Sequence, residues 1–257
     1  MSQALKLGTA LWEEGASERR ALVASLPSDP SRVVDLNRVE RLRLLKLGEG
    51  RAELLADALV PASLRQVLES GPRGLQRVKQ TLLYAEKWAA RGNLPDALAP
   101  RLDTIRRLPC LPRPALLRRF DGSHLDRLAV KGPGDELNAT PQPTLALVGL
   151  AGGRVAGCCL ALEDAGGAVL GGWLSLEMPQ RGGLELRSEA HHRRVPFSTW
   201  EDLELPKIRA AEVLLLPAPS LRPLADLLPG SPCAVLAPFD ILSLRLGDGV
   251  HPPGAVN

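Results

Sequence analysis

The stretch PTLALVGLAGG (143–153), RVAGCCLALEDAGG (154–167) and AVLGGWLSLEM (168–178) decides how the rest of the chain is read. Its three apolar runs are short and are separated by Gly-Gly or Asp-Ala-Gly-Gly, residues that tight turns favour. The spacing predicts three consecutive antiparallel strands. Leu145, Leu147, Val155, Cys159, Ala161, Val169 and Leu174 are apolar, and so are many residues between them. A strand apolar on both faces belongs inside a sheet covered on both sides, so a second layer is required.

Toward the C-terminus, GGLELRSEAHHRRVPF (182–197) predicts one or two further strands, followed by a loop and an interrupted helix up to Glu212. Val213–Leu216 reads as a buried strand, Ser220–Leu228 as a short helix and Cys233–Ala237 as a second buried strand. A strand, short crossover and strand suits a parallel pair, which makes the sheet mixed. The tail HPPGAVN (251–257) carries no hydrophobic payload.

Toward the N-terminus the readings are helical. Leu5, Leu7, Ala10 and Leu11 suit a short amphipathic helix ended by Gly15, and Ser17 is positioned to cap SERRALVASL (17–26). Asp29-Pro30 offers a cap followed by Pro for a basic helix bearing Arg32, Arg38, Arg41, Arg43 and Lys46. Two short helices follow on either side of Pro61. The strongest period lies in RGLQRVKQTLLYAEKWAARG (73–92), where Leu75, Val78, Leu82, Ala85 and Ala89 repeat every three or four residues and Gly92 stands at the capping place. A last helix is expected over 96–108. Six prolines between 109 and 143, the stretch KGPGDELNATPQP (131–143) and a short basic helix LLRRF mark a joint.

The 257 residues suffice for one large domain or two ordinary ones without covalent staples. Aromatic residues are 3% of the chain, so the core is aliphatic, anchored by Trp12, Trp88, Trp173 and Trp200. Residues 1–110 hold 18 basic and 13 acidic side chains and residues 111–257 hold 14 and 16, a milder asymmetry than a nucleic-acid stripe shows. Cys110, Cys158, Cys159 and Cys233 have neither disulfide-framework nor zinc spacing, and the neighbours Cys158 and Cys159 point to opposite faces of a strand. They read as reduced apolar residues of a cytoplasmic protein. No secretory leader is recognised, and no run approaches eighteen uninterrupted apolar residues, so no membrane association is expected.

No catalytic residue is assigned. GLAGGR (149–154) lacks the Lys-Ser/Thr of a phosphate loop and reads as a hairpin turn. His191 and His192 are adjacent in a predicted strand and diverge, a poor metal pair; with Arg193 and Arg194 they form a basic cluster open to an acidic ligand. Glu163-Asp164 precedes Ala-Gly-Gly, where a turn favours polar residues. No metal site and no cofactor are expected.

The segment GGRVAGCCLALEDAGGAVLGGWLSLEMPQRGG (152–183) resembles the central strands of a GNAT-type acetyltransferase. The resemblance implies acyl-CoA pyrophosphate held by a glycine-rich loop at Gln180, Arg181, Gly182 and Gly183. The sequence LELRSEAHHRRVPF that follows alternates like a strand, where that family has a helix.

The expected architecture is therefore α+β: a bundle of short helices over 1–110, a proline-rich joint over 111–142, and a mixed, mostly antiparallel β-sheet domain with one or two helices over 143–257. The expected function is a non-catalytic protein-protein interaction or scaffold subunit with another protein subunit as partner. A GNAT-like acyltransferase or other small-molecule enzyme, and nucleic-acid binding through the basic helical half, are the alternatives.

Overall fold

In the computed structural model of the chain, which describes residues 5–120, 123–131, 142–164, 166–176, 184–187, 192–195, 206–216 and 236–237, the N-terminal segment opens on a β-hairpin. Strand β1 (Lys6–Glu14) pairs antiparallel with β2 (Ser17–Leu26) from Leu7↔Ala24 to Glu14↔Ser17. Gly15 and Ala16 form the turn. Gly15 has φ 61°, a left-handed conformation that glycine adopts without a Cβ penalty. Strand β3 (Asp29–Asp35) continues antiparallel on β2 and leads into helix α1 (Leu36–Lys46). The α1 cap is Asp35 and not Asp29; its carboxylate accepts the Arg38 backbone N–H at 3.2 Å.

Both faces of this hairpin are covered. Leu7, Leu22 and Ala24 join the core that contains the helices, while Ala10, Ala21 and Val23 pack with Val33 beneath Trp173. Helices α2 (Ala52–Leu59), α3 (Leu64–Glu69) and α4 (Pro72–Ala89) follow. Helix α4 buries Leu75, Val78, Leu82, Ala85 and Trp88 along one face, as its period requires, and the Asn93 N–H returns to the Trp88 carbonyl at 2.9 Å beyond its end. Residues 96–108 are not a helix: they hold a single 3₁₀ turn (Asp96–Leu98) and strand β4 (Arg106–Leu108), which pairs with β1.

Strands β5 (Leu116–Phe120), β6 (Leu125–Arg127) and β7 (Ala129–Val130) come next, so LLRRF is a strand and not a helix. The meander consists of β8 (Gln142–Leu150), β9 (Arg154–Asp164), β10 (Gly167–Leu170) and the two-residue β11 (Leu174–Ser175), with β8–β9 and β9–β10 antiparallel. A hairpin of β12 (Leu184–Arg187) and β13 (His192–Val195) pairs through β12 with β15 (Leu236–Ala237). Strand β14 (Glu212–Leu215) lies antiparallel to β8 and parallel to β5. The expected helix over 220–228 lies outside the described residues.

The main sheet has twelve strands, with the path β3-β2-β1-β11-β9-β8-β14-β5-β6 and with β4, β7 and β10 off it. Strands from both halves of the chain enter it, and β11 is the link, pairing Lys6 of β1 on one edge and Cys158 of β9 on the other through Ser175. This corrects the expected N-terminal bundle of short helices. Residues 6–35 are three strands of the large mixed sheet, and the four α-helices follow them as a layer packed on one face. The reason is burial: the apolar middle residues of β1 and β2, Leu7 to Leu11 and Ala21 to Ala24, lie between two covering layers, and tertiary packing overrides the helix propensity of their Ala and Leu.

Candidate functional site

A cavity of about 370 Å³ opens on the helix-side face of the β1–β2 hairpin. Thr9 and Arg20 form its floor, residues 62–66 at the start of α3 one wall, and Leu111, Pro112 and Arg113 the other. The second wall is fixed to the sheet: Thr9 Oγ1 donates to the Cys110 carbonyl at 3.0 Å, and the Cys110 N–H donates to the Gly171 carbonyl at 2.8 Å. Pro112 and Pro114 restrict φ on either side of Arg113.

Three arginines, Arg20, Arg65 and Arg113, line this cavity together with Ser63 and Gln66. None of the described lining residues is acidic, histidine or cysteine. Arg65 is paired with Glu69 on its own helix at 2.8 Å, both half exposed. Among the described residues Arg20 and Arg113 have no ion pair. Ser63 precedes α3 without a side-chain capping bond, which leaves its hydroxyl free for the cavity. The size falls in the range of small-molecule sites, and the chemistry is that of an anion receptor.

The buried carboxylates lie elsewhere and are each committed to arginine. Asp35, fully buried, accepts Arg19 Nε at 2.6 Å; burial pushes its carboxyl up, beyond what the Arg19 charge offsets. Glu40, fully buried, accepts Arg43 at 2.9 Å, Arg77 Nε at 3.1 Å and Thr81 at 2.9 Å. Burial raises the Glu40 carboxyl, but these hydrogen bonds outweigh it and hold the group below the usual value. Glu212 is paired with Arg118 and accepts the Arg209 backbone N–H at 2.8 Å. Glu163 accepts Arg119 at 3.0 Å and Thr144 at 3.4 Å, a role the turn reading missed.

The basic helix is neutralised in the same way. Arg38 forms a bidentate pair with Glu14, Arg41 meets Glu53 and Arg32 meets Asp96, while Lys46 sits 3.8 Å over the Trp88 ring. The candidate loop residues Arg181, Gly182 and Gly183, with Gln180, lie outside the described residues, as do His191 and Cys233. His192 opens β13, opposite Arg187. Cys110, Cys158 and Cys159 are buried thiols in no disulfide. Burial pushes the Cys158 thiol up, and a hydrogen bond with Cys110 together with burial does the same for Cys159, so neither is a nucleophile at neutral pH.

The fold is that of a large mixed sheet with helices layered on one face, and the site on it is a basic cavity. No family model matches the chain, and no curated protein sequence matches it. Among solved structures, the maleylpyruvate hydrolase of Sphingobium sp. SYK-6, in complex with manganese(II) and pyruvate, superposes with a TM-score of 0.51 at 12% identity over 84% of this chain and 89% of that one. A second structure of that enzyme gives 0.47 at 11% identity over the same shares. At these identities the likeness is one of fold.

This likeness overturns the expectation of a passive scaffold or interaction subunit, since the fold is one that a solved enzyme carries. The segment expected to be a basic helical half is a β-hairpin followed by a helix layer, in which Arg38, Arg41 and Arg43 are paired with carboxylates. Among the described residues there is no donor set for a metal such as the neighbour's manganese. Among the described residues no three of His, Cys, Asp and Glu group together, and the buried carboxylates are occupied by guanidinium groups. No described helix is long and apolar enough to cross a membrane.

Proposed function

We propose that this chain is a small-molecule enzyme whose substrate is a small carboxylic acid, held in the cavity between β1, β2, α3 and residues 111–113. The observation that carries the reading is that Arg20, Arg65 and Arg113 line one cavity whose described lining holds no acid, with Arg20 and Arg113 free of any ion pair among the described residues. A guanidinium group presents a planar fork that matches both oxygens of a carboxylate, which fixes orientation as well as charge. Ser63 and Gln66 add neutral donors beside the arginines. The described lining has no general base, so its contribution is to bind, to orient and to stabilise negative charge. The neighbour's complex with pyruvate and its name, maleylpyruvate hydrolase, support a carboxylate ligand by fold analogy. Three buried thiols in no disulfide support a reducing, cytoplasmic location.

Thermal unfolding in the presence of pyruvate, maleate and succinate, with pyruvamide and succinamide as neutral controls, tests this. A bound carboxylate at about a hundred times its Kd stabilises the fold by about 2.7 kcal/mol, a rise of about 5–10 °C for a chain of this size. Arg20→Gln and Arg113→Gln are expected to weaken that ligand by about ten- to a hundredfold each. A panel in which no carboxylate shifts the transition, or in which the amides shift it equally, refutes the reading.

A further inference from the structure

We infer that the positive charge holding the carboxylate comes from the Arg20 and Arg113 guanidinium groups alone, with no divalent cation. The inference rests on the reading of the cavity given above and departs from the solved neighbour, whose complex contains manganese(II) beside pyruvate. It is carried by charge and by donor type. Arg65 is neutralised one turn on by Glu69, whereas Arg20 and Arg113 line the cavity with no carboxylate partner among the described residues. Arginine stays protonated throughout the accessible pH range, so the cavity carries about two uncompensated positive charges, the charge that one manganese(II) ion brings.

The described lining offers a cation no donor set beside them. Manganese(II) seeks carboxylate, carbonyl or imidazole donors, and the lining presents guanidinium, amide and hydroxyl groups that repel it or bind it weakly. The buried carboxylates Asp35, Glu40 and Glu212 are outside the cavity's described lining and are paired with Arg19, with Arg43 and Arg77, and with Arg118. Releasing one of them to coordinate a metal leaves a guanidinium without its partner, a cost that opposes metal binding. The same two charges favour an anion: filling the cavity with a neutral molecule leaves both without a counter-ion.

Calorimetry on the full chain separates the cases. Manganese(II) titrated alone is expected to give no stoichiometric binding. The Kd of maleate, or of pyruvate, is expected to agree within about twofold in chelator and in millimolar manganese(II), and the Arg20→Gln/Arg113→Gln double variant to lose at least about a hundredfold without rescue by the metal. Arg→Lys at each site keeps the charge but loses the fork, and an intermediate affinity is expected. Both arginines are exposed, so an unchanged circular dichroism spectrum and melting temperature show that the variants fold. One equivalent of tightly bound manganese(II), carboxylate binding that chelator abolishes, or an undiminished affinity in the double variant overturns the inference. Binding that appears only with manganese(II) leaves the cavity reading standing and overturns this one, whereas no carboxylate binding under either condition brings down both.

Discussion

Replacing Glu40 by alanine removes the carboxylate that ties α1 to α4. It has no exposed surface, and it accepts hydrogen bonds from Arg43 on its own helix and from Arg77 and Thr81 on α4. Removing one partner of a buried ion pair leaves the other charge uncompensated, at a typical cost of about 3–5 kcal/mol. Arg43 and Arg77 are about a quarter exposed and regain some hydration, so a loss of about 2–4 kcal/mol is expected. Thermal unfolding reads this as a fall of about 5–15 °C, and urea unfolding as a lower midpoint at unchanged slope. Glu40→Gln, which keeps one acceptor, is expected to lose about half as much. The sign of the pH dependence follows from the lowered folded value. The contribution is full above the carboxyl's ordinary 4.5 and is lost as pH falls from there through the folded value, so wild type and Glu40→Gln converge in acid. A Glu40→Ala protein within about 1 kcal/mol of wild type at pH 7 refutes the assignment of this carboxylate as the helix-layer clasp.

Two further outcomes follow from packing. At Gly157 a Cβ would stand 2.0 Å from the Ser175 carbonyl oxygen, so Gly157→Ala is expected to push β11 off β9 and cost about 2–3 kcal/mol, measured by urea unfolding; a stability unchanged from wild type contradicts the register described. Cys158 and Cys159, buried with raised thiol pKa values, are expected to resist alkylation at pH 8 in the folded chain and to label in denaturant, as mapped by peptide mass; rapid labelling of either under native conditions contradicts a covered β9.

The sequence was most readable where one face of an element is wet. In α4 the buried residues Leu75, Val78, Leu82 and Ala85 are set against an exposed remainder, so the period of 3.6 appears directly. The meander was readable for another reason, the Gly-Gly punctuation at its turns. Strands β1 and β2 were misread because both conditions fail: their middle residues are buried on both faces, the alternation is erased, and Ala, Leu, Glu and Arg favour a helix. The one available signal was Gly15-Ala16 between equal apolar segments, a two-residue hairpin turn. Asp29-Pro30 likewise imitates a helix start, while the operative cap is Asp35, six residues on. The site left no local trace at all. Arg20, Arg65 and Arg113 belong to a strand, a helix start and a loop, and only the docking of α3 and of residues 110–113 on β1 assembles them.

A crystal structure of the chain grown with maleate is the most direct measurement of the central claim. The carboxylate is expected between Arg20 and Arg113, within about 2.7–3.0 Å of a guanidinium nitrogen of each. Maleate bound elsewhere, with both arginines turned to solvent, contradicts it.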